Sequence, residues 1–196
     1  MWSGAIAVHP WVGKNYQNPA NLLHKTLILG ESNFTESGKF KSDLVINCVL
    51  NDLSIDPTEE RDTTGFCRFS TKIRRIVFGR DEAIGPNNFW QDVAFYNFVQ
   101  SLVGDKARIR PTEEMWEGSV PAFIEVVLSL QPNRVFVLGK ANWINLLAHI
   151  EHEIVDQFTV RLKVGSEFVV AGYINHPSSS LPYNKWQPIA QKLLLS

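Results

Sequence analysis

The chain has 196 residues, 44% of them hydrophobic and 20% charged, with a formal charge of −1. That length holds one well-buried core and falls short of where domains multiply, so residues 1–196 are expected to form a single domain. The balanced charge provides no global basic field for a polyanion, and no apolar run approaches the ~20 residues of a membrane span. Two cysteines, Cys48 and Cys67, make neither a disulfide framework nor a Cys-x-x-Cys metal site and are expected to be reduced thiols. The opening stretch Met1–Tyr16 lacks the basic and apolar regions of a secretory signal, so a cytoplasmic chain is expected.

In chain order, the first clear element is Thr26–Gly30, a continuous apolar run ending on glycine that suits a strand buried on both faces. Lys39 and Lys41 follow it. The stretch from Asp43 to Leu53 then reads as helical, and Asp56–Gly65 as an exposed loop. Residues 43–88 as a whole are a candidate insertion lying over a site mouth. Val93–Val99, rich in aromatic and β-branched residues, predicts a second strand. Pro111, Thr112, Glu113 and Glu114 precede apolar residues at helical spacing from Met115 to Leu130, which predicts a long amphipathic helix stopped by Pro132. Arg134–Gly139 is the third strand. His149 and His152 invite a metal reading but lack a convincing third ligand nearby, and are expected to end a solvated helix. The fourth strand, Glu167–Tyr173, runs into Asn175, His176 and Pro177.

Strands separated by helices imply right-handed crossovers and a parallel sheet. The expected fold is therefore α/β, a three-layer α/β/α sandwich around a central, mainly parallel four-stranded sheet. Ligands of such sheets lie beyond the carboxyl ends of the strands. The suspects are then Glu31 to Phe34, Asn97, Lys140 to Trp143, and Asn175 to Ser180. Phosphate contacts, if the ligand carries phosphates, must come from local cations: Lys39, Lys41, Lys72, Arg74, Arg75, Arg108 and Arg110.

Four features in order carry a family resemblance: Gly30-Glu31-Ser32-Asn33-Phe34 after the first strand, Asn97 closing the second, Val135-Phe136-Val137-Leu138-Gly139, and His176-Pro177-Ser178 after the last. Together they resemble the uracil-DNA glycosylase superfamily. The iron–sulfur type of thermophiles is the most similar, through Arg110-Pro111-Thr112-Glu113-Glu114 and Pro132-Asn133-Arg134-Val135. The resemblance covers about three-fifths of the chain and leaves residues 43–88 unmatched. It departs in three places. Two cysteines cannot supply the four thiolates of a cluster, so no cofactor and no metal is expected. The first loop lacks the family's proline, and Ser32 stands where other branches place Asp or Asn.

The resemblance implies a DNA glycosylase that flips a uracil or a modified or damaged pyrimidine from DNA and hydrolyses its N-glycosidic bond. Breaking that bond leaves positive charge on the sugar and negative charge on the base, and a catalyst has to stabilise both. By resemblance His176 donates to the base, Glu31 orients or deprotonates the water with Asn33 as the competing candidate, and Asn97 reads the polar edge of the flipped base. Gly30 and Ser32 belong to the same loop. Phe34 walls the pocket, with Phe40 as an alternative stacking partner. Leu181, or failing it Tyr183, fills the gap left in the duplex. Ser178, Ser179 and Ser180 grip phosphates with hydroxyls and backbone amides, and Lys140 adds a DNA contact. The expected partner is DNA, and the expected state a monomer.

Three rival functions remain open. A pocket not closed to bulky groups admits the hydroxymethyl or glucosylated cytosines of phage DNA, which makes the chain a defence factor. Gly30-Glu31-Ser32 also resembles the nucleophile loop of SGNH esterases, with Ser32 as nucleophile; the acid of that triad falls on Tyr173. The last rival is a non-catalytic DNA-binding member of the same fold.

Overall fold

A computed structural model describes residues 2–35, 37–54, 65–79, 84–106 and 109–196. In chain order these form β1 (Trp11–Val12), β2 (Thr26–Gly30), α1 (Leu44–Ser54), α2 (Gly65–Phe78), α3 (Pro86–Trp90), β3 (Val93–Asn97), α4 (Glu113–Leu130), β4 (Arg134–Leu138), α5 (Lys140–His149), β5 (His152–Asp156), β6 (Thr159–Val164), β7 (Glu167–Ile174) and α6 (Tyr183–Leu194). The class is α/β. The sheet, however, is larger than expected: seven strands in the order β1-β3-β2-β4-β7-β6-β5, and mixed rather than four-stranded.

The four expected strands make the parallel centre, β3 on β2, β2 on β4 and β4 on β7. Antiparallel strands extend it on both sides, β1 along β3 and the β5–β6 hairpin beyond β7. β6 has a clear physical cause, because its alternation buries Val160, Leu162 and Val164 while turning Arg161 and Lys163 outward. β1 spans only two residues, too short to leave a pattern.

Alternation along the central strands divides the core into two. Leu27, Leu29, Ala94, Tyr96, Val135 and Val137 pack with Trp116, Phe123 and Val126 of α4 and with Trp143 and Leu146 of α5. Ile28, Phe95, Phe136, Leu138 and Ile174 pack on the other face with α1, α2, α3 and α6. Each fully buried side chain of this kind contributes roughly 1.5–3 kcal/mol. α4 starts and stops where its sequence indicates: the Thr112 side chain caps by accepting from the Met115 N–H, and Gln131 adopts the left-handed conformation just before Pro132.

The described part of the 43–88 segment supplies α1, α2 and the start of α3, which with α6 cover one face of the sheet; its residues 55–64 and 80–83 lie outside the described set. The buried Asp52 of α1 ties the three helices together by accepting from Ser70 Oγ of α2 at 2.5 Å and Trp90 Nε1 of α3 at 2.7 Å. His149 ends α5 and His152 begins β5, so the two histidines do not share a helix face. His149 lies instead 3.5 Å from Glu113, and His152 Nδ1 faces the Ile150 carbonyl. Among the described residues no helix is long and apolar enough to cross a membrane.

Candidate active site

The carboxyl ends of β3, β2, β4 and β7 bring the suspected residues to one edge of the sheet, as the parallel register requires: Gly30 pairs with Asn97, Leu29 with Val137, and Leu138 with Ile174. Glu31, Gly139 and His176 therefore leave the sheet on the same side.

On the β2 side, the chain beyond Gly30 runs beside the chain beyond Asn97. Phe98, Val99 and Val103 donate their N–H groups to the carbonyls of Gly30, Glu31 and Asn33. Asn33 is buried, its Nδ2 donating to the Val99 carbonyl at 3.2 Å and its Oδ1 accepting from Asn97 Nδ2 at 2.8 Å. Its amide is thus engaged at both ends in clamping two loops, a structural duty that stands beside the water-positioning role expected of it as an alternative to Glu31. Asn97 is anchored through one amide hydrogen and keeps the other, and its Oδ1 lies over Gly30, where an added Cβ would come within 1.9 Å. That glycine is required by close approach, not by a turn. The carboxylate of Glu31 is 12% exposed and accepts from Arg110 Nη1 at 2.9 and 3.0 Å.

On the β7 side, the loop after Ile174 is held by its own hydrogen bonds. The Ser178 N–H donates to His176 Nδ1 at 3.2 Å, and the Ser178 hydroxyl lies 2.6 Å from the same nitrogen. A backbone N–H can only donate, so Nδ1 is an acceptor and the ring proton resides on Nε2. Burial, then the charges of Arg110 and Lys72, pull the His176 pKa from 6.5 down to about 4, which keeps the ring neutral near pH 7. Arg110 thereby links the two sides, holding Glu31 while its charge acts on His176. Behind the ring, α2 places Phe69 at a centroid distance of 5.6 Å, and Lys72 Nζ donates to the Pro177 carbonyl at 2.7 Å. Gly139, at φ +107°, has space for a Cβ only at 3.4 Å from His176 Cβ.

Between the two sides stands Asn142 of α5, fully buried, whose Nδ2 donates to the carbonyls of Leu29 at 3.1 Å and Gly30 at 2.9 Å. It fastens the start of α5 to the end of β2. It belongs to the Lys140–Trp143 stretch that the strand-end rule singles out; Lys140 itself is exposed at the first position of α5.

Several expected roles do not survive the geometry. Leu181 is 9% exposed and packed in the core with Trp186 and Leu193, so it cannot project into a duplex. Tyr183 is half-buried at the start of α6. The amides of Ser178 and Ser179 are engaged inside the loop, by His176 Nδ1 and by the His176 carbonyl, and are not free to grip phosphate; the three serine side chains remain exposed at the surface. Arg74 is buried and donates to the Ile84 carbonyl and Thr71 Oγ1, so it is no phosphate contact, whereas Lys39, Lys41 and Arg75 are exposed. Arg108 lies outside the described residues. Phe34 and Phe40, exposed at 46% and 47%, present open aromatic faces. Ser32 is half-buried, and the group on His176 Nδ1 is Ser178, where a hydrolase triad needs a carboxylate.

Phe69 and Asn142 have no individual signal in the sequence, and Lys72 and Arg110 are expected there only as phosphate cations. No protein-family profile matches this chain, and no curated protein matches it in sequence.

Proposed function

We propose that the chain is a monofunctional DNA N-glycosylase that hydrolyses the bond between deoxyribose and a flipped uracil or modified pyrimidine. One observation carries this reading: a neutral histidine with its proton on Nε2 shares a sheet edge with a carboxylate held by an arginine. As the C1′–N bond breaks, its electron pair goes to the base, and His176 Nε2–H donates to the oxygen where that charge gathers. Glu31 faces the positive sugar and accepts a proton from the water whose oxygen bonds to C1′. Water is thereby added across the bond, leaving a free base and an abasic strand. Asn97, with a spare amide hydrogen and its Oδ1, matches the polar edge of a pyrimidine. Hydrolysis rather than an amine-linked lyase step is favoured because Lys72, the lysine braced against the histidine loop, is spent on the Pro177 carbonyl.

The test is incubation with duplex and single-stranded oligonucleotides carrying uracil, thymine mispairs and damaged pyrimidines, and with phage DNA carrying hydroxymethyl or glucosylated cytosine. Alkaline cleavage and mass analysis then identify strand and base. Release of one base class, lost in both Glu31→Ala and His176→Ala, supports the proposal and settles repair against defence substrates. Tight DNA binding with no released base across the panel would move the chain to the non-catalytic members of this fold. Ester hydrolysis abolished by Ser32→Ala would replace the glycosylase reading altogether.

A further inference from the structure

Arg110 stands just before α4 and reaches back over 79 residues of sequence to the end of β2. Only Nη1 meets the Glu31 carboxylate, at 2.9 and 3.0 Å; among the described residues Nε and Nη2 have no partner. The side chain is 71% exposed, against 12% for Glu31, so one edge of the guanidinium lies against a sheltered carboxylate and the rest faces solvent. An ordinary surface ion pair joins two exposed groups and contributes little. This one joins the carboxylate expected to activate water to a planar fork whose outer donors meet none of the described residues and are matched to a phosphate.

The net charge sharpens the point. At −1 the chain has no general field to hold DNA, so each phosphate contact has to be placed individually. A phosphate approaching this edge also meets Glu31, whose negative charge repels it unless a cation stands between them. Arg110 stands there. His176, in the loop after β7, carries no compensating positive charge, since Nδ1 accepts from Ser178.

We infer that Arg110 is a two-sided clamp that takes a DNA phosphate on its outer nitrogens while Nη1 keeps hold of Glu31, so that engagement of the backbone fixes the catalytic carboxylate. This deepens the glycosylase reading and rests on it. Arg110 is a positioning residue: it touches the strand and the carboxylate, not the bond that breaks. Lysine cannot replace it, because one ammonium lacks the fork needed to serve an anion on each side at fixed geometry.

The experiment compares the full chain with Arg110→Ala and Arg110→Lys on a short DNA duplex, measuring affinity over a salt series and the single-turnover rate of base release at saturating DNA. Arg110→Ala is expected to lower the slope of log affinity against log salt by about one and to slow release ~10-fold or more. Arg110→Lys restores the slope and leaves the rate low. An unchanged slope in Arg110→Ala overturns the phosphate contact, and an unchanged saturating rate overturns the hold on Glu31. A binding cycle of Arg110→Ala with Glu31→Gln needs no catalysis: a non-additive effect on affinity of about threefold or more is expected, and additivity rejects the clamp. If wild-type protein releases no base, the glycosylase reading fails, while the slope and the cycle still decide whether Arg110 joins phosphate to Glu31.

Discussion

The two sides of the sheet edge are built by opposite means. Glu31 is a sheltered charge, satisfied by another charge and placed on a loop sewn to its neighbour by backbone bonds and by the Asn33–Asn97 amide pair. His176 is a neutral ring, half-buried, flanked by Phe69, fixed by a short hydrogen-bonded loop, with cations near enough to oppose its protonation. A reaction that separates a cation from an anion needs this asymmetry. In the proposed glycosylase reaction the sugar side calls for a negative charge, and the base side calls for a donor that adds no charge of its own before the bond stretches.

The sharpest way to break the comparison is to remove each side in turn. His176→Ala and Glu31→Gln are each expected to lower the single-turnover rate of base release by about 10²–10³-fold, the range found when one preorganised stabilising group is lost. Both variants should bind DNA within a few-fold of wild type. A Glu31→Gln protein that turns over normally would reduce the β2 side to scaffolding.

Protonation probes the β7 side alone. His176 in the folded chain titrates at about 4, below its ordinary 6.5, so the unfolded chain binds more protons between those values and folding stability falls as pH drops through that window. Above 6.5 the group has no effect; toward 4 the loss approaches roughly 3 kcal/mol as an upper bound, reduced by solvent at the exposed ring edge. Urea unfolding of wild type and His176→Asn at pH 7 and pH 4.5 measures it. The difference between the two proteins should shift by 1 kcal/mol or more, on the order of the partial loss expected there. A constant difference would show that the ring is not sheltered.

How much of this was readable beforehand follows the physics of each signal. β2, β3, β4, β7 and α4 announce themselves through continuous apolar runs, a Thr cap and a following proline. The β6 pattern is equally present in Thr159–Val164 but spans few residues, while the exposed Ile154 and Val155 of β5 resemble no buried edge. The strand-end rule puts Glu31, Asn97 and His176 at one sheet edge, and the register of the central strands has them there. It could not find Arg110 as the partner of Glu31, because a pairing across 79 residues leaves no spacing to read. Exposure was the other blind spot. Leu181 and Arg74 have the residue types of a wedge and a phosphate contact, yet both are buried, and burial is a property of the packed chain.

Packing defines the next test. Gly30→Ala puts a Cβ within 1.9 Å of Asn97 Oδ1, so Asn97 has to turn away and its bond to Asn33 is lost or bent. Overpacking of this kind costs about 1–3 kcal/mol, and the rate of base release should fall together with stability. If Asn97 serves the base edge, Asn97→Ala falls in rate by a similar factor with a smaller loss of stability. Equal losses of stability with an unaffected rate would make Asn97 only a loop clamp.

Ser178→Ala is expected to have the smallest effect, for a reason that tests the tautomer argument directly. The hydroxyl 2.6 Å from His176 Nδ1 is removed, but the Ser178 N–H at 3.2 Å remains, and that donor alone keeps Nδ1 an acceptor and the proton on Nε2. One neutral hydrogen bond contributes about 0.5–1.5 kcal/mol, so the rate should fall by no more than roughly tenfold. Ring nitrogen chemical shifts should still report the Nε2–H tautomer. If the variant instead carries its proton on Nδ1, the backbone donor is not what sets the ring, and the β7 side depends on a rotatable hydroxyl rather than on the fold.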